Sequence, residues 1–314
     1  MRSRAVSLFV LSFVVPSLLA AAAPAAPQPS FNGQWAGVIQ VRPAELEIEF
    51  KLDIHPGPNG APVGKISFPS QNVDSHALES LEINGKSITF VYKDEHDVSN
   101  FSGDLLPDGF TISGNLREQE NVYPFSLERK PANLEDHPRP ALRTLSAAGE
   151  ELKALFNQDR DDVRLLLVVS PSCSICRDSA RVVKRYVLDT IENPRLRVYV
   201  VWEPIQPSDS QKLAADSTGF LDDPRATHFW GVNRFTGTSF KQAVGLTKFP
   251  AWDVFLVFGP GQQWTADPPN PDFFMHNLLG NDELPKDRHL NGQKLAEVVR
   301  EQLARKAAAA PAAK

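Results

Sequence analysis

Cysteine is almost absent from this chain: two residues in 314, Cys173 and Cys176. A scaffold stapled by disulfides is therefore excluded, and stability has to come from ordinary apolar cores, which a chain of this length can build. A second CxxC and any HxxxH are also missing, so a closed four-ligand zinc site lacks half its donors. There is no Gly-x-Ser-x-Gly, no Walker loop and no Gly-x-Gly-x-x-Gly, which leaves hydrolase, nucleotide and dinucleotide readings without support. Beyond Ala23 no apolar run is long enough to cross a bilayer. Basic charge is in deficit as well, with 33 Lys and Arg against 38 Asp and Glu. Such a balance argues against nucleic acid and against charge-driven binding to anionic lipid.

What is present begins with the N-terminus. Arg2 and Arg4 precede the apolar stretch Ala5 to Leu19, followed by the small-residue run Ala20-Ala21-Ala22-Ala23-Pro24-Ala25-Ala26. This is the pattern of a signal peptide over residues 1–26, with a retained membrane anchor as the alternative. The expected location is periplasmic or secreted, with no stable membrane insertion once the leader is removed. Removal takes two arginines from the 33 basic residues, leaving 31 against 38 acidic ones.

Residues 30–130 read as an all-β domain, a barrel or sandwich. Eight alternating runs recur at roughly ten-residue intervals: Gly33–Val41, Leu46–Ile54, Gly64–Phe68, Leu78–Ile83, Ser87–Tyr92, Asn100–Leu105, Thr111–Leu116 and Tyr123–Arg129. Turn-formers separate them, among them Pro56-Gly57-Pro58-Asn59-Gly60, Asn84-Gly85 and Pro107-Asp108-Gly109. Residues 131–145, with Pro131, Pro138 and Pro140, read as a linker. Residues 307–314, rich in alanine, read as a disordered tail.

The second half, residues 146–306, alternates helix and strand. A helix is expected from Ser146 to Asn157, strands over Arg164–Val169, Arg197–Trp202 and Trp252–Gly259, a further strand near Gln263-Trp264, and helices over Arg177–Ile191 and Asn291–Lys306. Cys173-Ser174-Ile175-Cys176 falls between the first of these strands and its helix. That position puts the Cys173 sulfur at a helix N-terminus, where unpaired N–H groups and the dipole favour a thiolate. The spacing fits thiol–disulfide exchange with Cys173 as nucleophile and Cys176 as resolving thiol. The alternative is a ligand- or metal-binding protein in which the cysteines are ligands or a fixed staple. Copper could be imagined at Cys173, Cys176 and His276.

The CxxC, the strand–helix order and Lys248-Phe249-Pro250 before an apolar strand resemble the thioredoxin-like family over residues 146–306. Ser170-Pro171-Ser172-Cys173, Val201-Trp202-Glu203-Pro204 and Pro250-Ala251-Trp252-Asp253 are similar to exported bacterial proteins of that family. The glycine–aromatic pattern Phe31-Asn32-Gly33-Gln34-Trp35, with Gly64, Gly103 and Gly114, resembles a lipocalin-like β domain. The resemblance implies an α+β protein in which an all-β barrel or sandwich is followed by a thioredoxin-like α/β domain. It implies a cis bond at Phe249–Pro250 opposite Cys173, a rim of Trp202, His228, Phe249 and Trp230, no cofactor and no metal. The expected partner is a thiol- or disulfide-containing protein or small molecule. Two departures stand out: Ser174-Ile175 lies between the cysteines where thioredoxins carry Gly-Pro, and no acid is evident beside the resolving cysteine, since Asp161 and Asp162 look like solvated turn residues.

Overall fold

Alternation of apolar and polar residues along 33–129 builds nine antiparallel strands, because side chains on successive strand residues point to opposite faces. They are β1 (Gly33–Arg42), β2 (Leu46–Pro56), β3 (Pro62–Phe68), β4 (Val73–Ala77), β5 (Ser80–Asn84), β6 (Ser87–Lys93), β7 (Val98–Leu105), β8 (Thr111–Glu118) and β9 (Asn121–Arg129). The computed structural model describes residues 30–95, 97–130, 139–278 and 281–305. The leader reading (1–26), the tail (307–314) and the linker stretch 131–138 lie outside them. Among the described residues no helix is long and apolar enough to cross a membrane.

The strand order is β4-β3-β2-β1-β9-β8-β7-β6-β5. Its two ends meet where Leu78 N–H donates to Gly64 O (3.0 Å) and the next residue, Glu79, donates to Val91 O (2.9 Å), so one connection stitches β3 to β6. The curl is also visible inside: Phe50 of β2 stacks near Phe101 of β7, with ring centres 5.5 Å apart across what would be the breadth of an open sheet. Phe90 and Phe101 lie 4.5 Å apart, and Phe68, Tyr92 and Phe125 join the same cluster. These rings fill the interior. Gly37 is required where β1 meets β9, since a Cβ there would lie 1.8 Å from Ser126 O.

The second sheet has six strands: β10 (Leu142–Thr144), β11 (Val163–Val169), β12 (Leu196–Trp202), β13 (Ala226–Trp230), β14 (Val254–Phe258) and β15 (Phe273–His276). Their order is β10-β13-β12-β11-β14-β15; the first four are parallel, β14 runs antiparallel to β11, and β15 runs antiparallel to β14. Every residue of β11 is buried, as a strand covered on both faces requires. Leu165, Leu167 and Val169 enter one core, and Leu166 and Val168 the other. The helices are α1 (Glu150–Gln158), α2 (Ser174–Val183, extended by a π-helical turn over Lys184–Leu188), α3 (Gln211–Ser217), α4 (Phe235–Phe240) and α5 (Gly292–Ala304).

Four expectations are corrected by this architecture. The class is mostly β, with fifteen strands in two sheets against five α-helices among the described residues, and not the α+β arrangement expected. Part of the reason is that two segments pair as strands. Leu142–Thr144, read as linker, joins β13, and Ala226–Trp230, in a stretch with no expected element, inserts between β12 and β10. Strands of three and five residues carry too few positions to show a period. The strand expected at Gln263-Trp264 forms ten residues later, at Phe273–His276. The described residues contain no cis peptide, so Phe249–Pro250 is trans, and Pro250 does not start β14.

The barrel rests on α2 through charge. Arg181 pairs with Glu49, Arg185 Nη1 with Glu47 (2.8 Å), and Arg177 Nη1 donates to Asn72 Oδ1 (2.8 Å). The turn between β1 and β2 reaches farther, Ala44 O accepting from Gly292 N–H at the start of α5. That helix is capped by Asn291, whose Oδ1 accepts from Lys294 N–H at 3.0 Å. Asn291→Ala is expected to lower stability by about 1 kcal/mol, read from the urea midpoint at unchanged slope.

Candidate functional site around Cys173 and Cys176

The chain leaves β11 through Ser170-Pro171-Ser172, and Cys173 is the N-cap of α2. Its Sγ accepts from Cys176 N–H at 3.2 Å. Cys173 is partly exposed while Cys176 is fully buried one turn inside, and both are free thiols. The loop ahead of Cys173 is clamped by Asp209, whose carboxylate accepts from Ser170 Oγ (2.9 Å), Ser172 N–H (2.8 Å) and Gln206 N–H (2.7 Å). Arg177, next on the helix and 3% exposed, carries its positive charge close enough to interact with both cysteines. The Cys173 sulfur thus sits at a helix N-terminus with the Arg177 guanidinium adjacent.

Burial pushes the Cys176 thiol well up, helped by its hydrogen bond with Cys173 and by the charge of Asp253. Asp253 is the residue that the sequence reading missed. It lies just before β14 in the left-handed region (φ 48°), 1% exposed, with its carboxyl against the Cys176 thiol and the Ser179 hydroxyl. Burial raises its carboxyl to about 7. Cys173 Sγ, Cys176 Sγ and an Asp253 oxygen lie within 4.8 Å of one another. A sequence signal existed: Asp253 is an acid directly preceding the uniformly apolar run Val254–Phe258. Its distance from the cysteines is about eighty residues along the chain, and only the β11–β14 pairing closes it.

The other expected site residues are dispersed or serve the core. Trp202 and Trp230 are buried in the same cluster as Cys176. His228 is 1% exposed; Trp202 Nε1–H donates to its Nδ1 (3.3 Å), so Nε2 carries the proton and donates to Leu221 O (3.1 Å). Burial lowers His228 to about 4, which keeps it neutral. It is a satisfied core histidine. Phe249 is 60% exposed, and Pro250 stands three residues before Asp253 with a trans bond. His276 turns its Nε2 to Pro285 O (3.1 Å) and packs against His289, outside the cysteine group. Glu203, adjacent to Trp202, is wholly buried and accepts from Thr236 N–H (2.7 Å) and Gly237 N–H (3.1 Å).

No family model and no curated protein matches the chain. Solved structures that resemble it include the fluorescent protein UnaG, wild type, at 11% identity over 32% of this chain and 97% of that one, with a TM-score of 0.23. Two point mutants of UnaG match at 11% and 12% identity over 32% of this chain and 96% and 95% of those, with TM-scores of 0.24 and 0.23. These overlaps amount to a third of the chain and assign it no activity. The expected membership in the thioredoxin-like family over residues 146–306 is therefore corrected, since no family model or curated protein supports it, and the lipocalin-like resemblance of the β domain gains no family from overlaps of this kind. Also corrected is the idea that a redox-active disulfide comes with family membership. The trans bond at Phe249–Pro250 removes the family mark on which that reading leaned most after the CxxC.

Proposed function

We propose that the Cys173–Cys176 pair performs thiol–disulfide exchange on a disulfide- or thiol-containing protein or small molecule. The observation that carries the reading is the buried Asp253 carboxyl set against the Cys176 thiol, beneath a Cys173 held at a helix N-terminus. The leader-like N-terminus supports action outside the cytoplasm.

In the reducing direction the Cys173 thiolate attacks one sulfur of a substrate disulfide. A Cys173–substrate disulfide forms and the other substrate sulfur leaves as thiolate. Cys176 then gives its proton to Asp253 and attacks Cys173 Sγ. The Cys173–Cys176 disulfide forms, the second substrate thiolate leaves, and two electrons have passed from protein to substrate. The reverse sequence oxidises a substrate dithiol. Asp253 suits this task because a carboxyl titrating near 7 accepts a proton at working pH, which an ordinary carboxylate does weakly.

Asp253→Asn is expected to slow the resolving step about a hundredfold at pH 7 and to erase the inflection near pH 7 in its rate. Stopped-flow release of the mixed disulfide against pH measures both. An unchanged profile would remove Asp253 from the mechanism. The same three atoms could also hold a soft cation. Equilibration in glutathione buffers with a chelator separates the readings. A pair that cycles by two mass units regardless of chelator supports exchange, and thiols protected only by added zinc or copper(I) support binding.

A further inference from the structure

The barrel's first hairpin reaches the exchange site through hydrogen bonds. Arg42, at the end of β1, donates from Nη2 to Asn277 Oδ1 (3.1 Å), 235 residues away in sequence. Asn277 Nδ2 donates to Ser179 Oγ (3.1 Å), and its backbone N–H donates to Asp253 O (2.8 Å). Ser179 sits on α2 one turn after Cys176, and its hydroxyl faces the Asp253 carboxyl. Asn277 and Ser179 are buried, at 2% and 0% exposure.

The direction of this chain follows from donor counting. A guanidinium only donates, so Arg42 forces the Asn277 carbonyl oxygen toward itself and the amide NH₂ toward Ser179. A hydroxyl that already accepts from that NH₂ has its single proton left to give, and the carboxyl of Asp253 is what it faces. Without Arg42 the amide is free to turn over. Its oxygen would then take the Ser179 proton, and Asp253 would lose a donor to its ionised form.

We propose that Arg42 is a positioning residue for the exchange site, fixing through Asn277 the Ser179 hydroxyl as donor to Asp253. The inference rests on the thiol-exchange reading, and it gives the barrel a part in the chemistry. The titratable groups that face Asp253 are Cys173, Cys176 and Asp178, all from the α2 segment, while His276 beside Asn277 is engaged with Pro285 and His289. None of them contacts Arg42, whose other partner is Glu45 (3.4 Å).

The test is the protonation midpoint of Asp253, read by carboxyl infrared or ¹³C spectroscopy on the full chain, beside the pH–rate profile of the resolving step. A donor to a carboxylate is worth about 1 kcal/mol, so Arg42→Ala should raise the midpoint by about 0.7 pH unit. The inflection in the rate should move by the same amount. Arg42→Lys, which keeps a donor, should restore most of it, and Glu45→Ala should move nothing. A midpoint unmoved in both Arg42 variants overturns the positioning role while leaving exchange intact. A pair that never cycles overturns the exchange reading, yet the spectroscopic midpoint still decides the Arg42 chain. A midpoint raised equally by Arg42→Ala and Arg42→Lys would also overturn it, because the argument depends on the donor and not on packing.

Discussion

Cys176→Ser is expected to accumulate a mixed disulfide through Cys173 to near completion when treated with glutathione disulfide, whereas Cys173→Ser should form none above background. The asymmetry follows from access and charge. Cys173 caps α2 with its sulfur partly open to solvent and hydrogen-bonded by an N–H. Cys176 is fully buried and its thiol is pushed far up by that burial, so an incoming disulfide can neither reach it nor find a thiolate there. With the resolving thiol gone, the Cys173 adduct has no intramolecular route of release. Intact mass under non-reducing conditions gives the answer directly. Equal adducts in both variants, or an adduct on Cys176 alone, would reverse the assigned roles.

Glu203→Gln is expected to make the protein about 3 kcal/mol more stable, relative to the unsubstituted chain, at pH 8 than the same comparison gives at pH 4.5. Glu203 is buried behind β12, and burial raises its carboxyl to about 7 from an ordinary value near 4.5. The folded state therefore holds a proton that the unfolded chain gives up. Stability from this group is fully present below about pH 4.5 and is lost as pH rises through about 7, at roughly 1.4 kcal/mol per pH unit. Glutamine carries no such charge and is exempt. Asp178 and Asp253, also raised to about 7, contribute losses of the same sign, while His228, lowered to about 4, opposes them by losing stability as pH falls below its ordinary 6.5. Comparing variant with parent at each pH isolates Glu203 from these. Urea unfolding at the two pH values measures it, and parallel profiles would show that the carboxyl is not held neutral.

Much of this molecule could be read before any coordinates. The turn residues and the period-2 alternation located eight of nine barrel strands, because each inward residue there faces one core and each outward one faces water. The missed strand, Val73–Ala77, is almost wholly exposed and leaves no alternation to read. The cysteine spacing, the apolar run ahead of it and the helical period behind it were local facts, and they placed Cys173 at the start of a helix. The rim of Trp202, His228 and Trp230 failed because aromatic residues signal burial and rim membership alike, and here the covered sheet took all three.

By itself the sequence determined that the only sulfur pair is a CxxC between strand and helix, and that a period-2 domain precedes it. Chain-local chemistry suffices for both. Only the tertiary structure decided which acid serves the pair. Asp253 comes within reach because β14 runs antiparallel beside β11, and its carboxyl is made a base by the apolar surroundings that the fold imposes. Only the tertiary structure likewise brought Arg42 to Asn277, since a hydrogen bond spanning 235 residues depends on two sheets docking and has no trace in local composition or period.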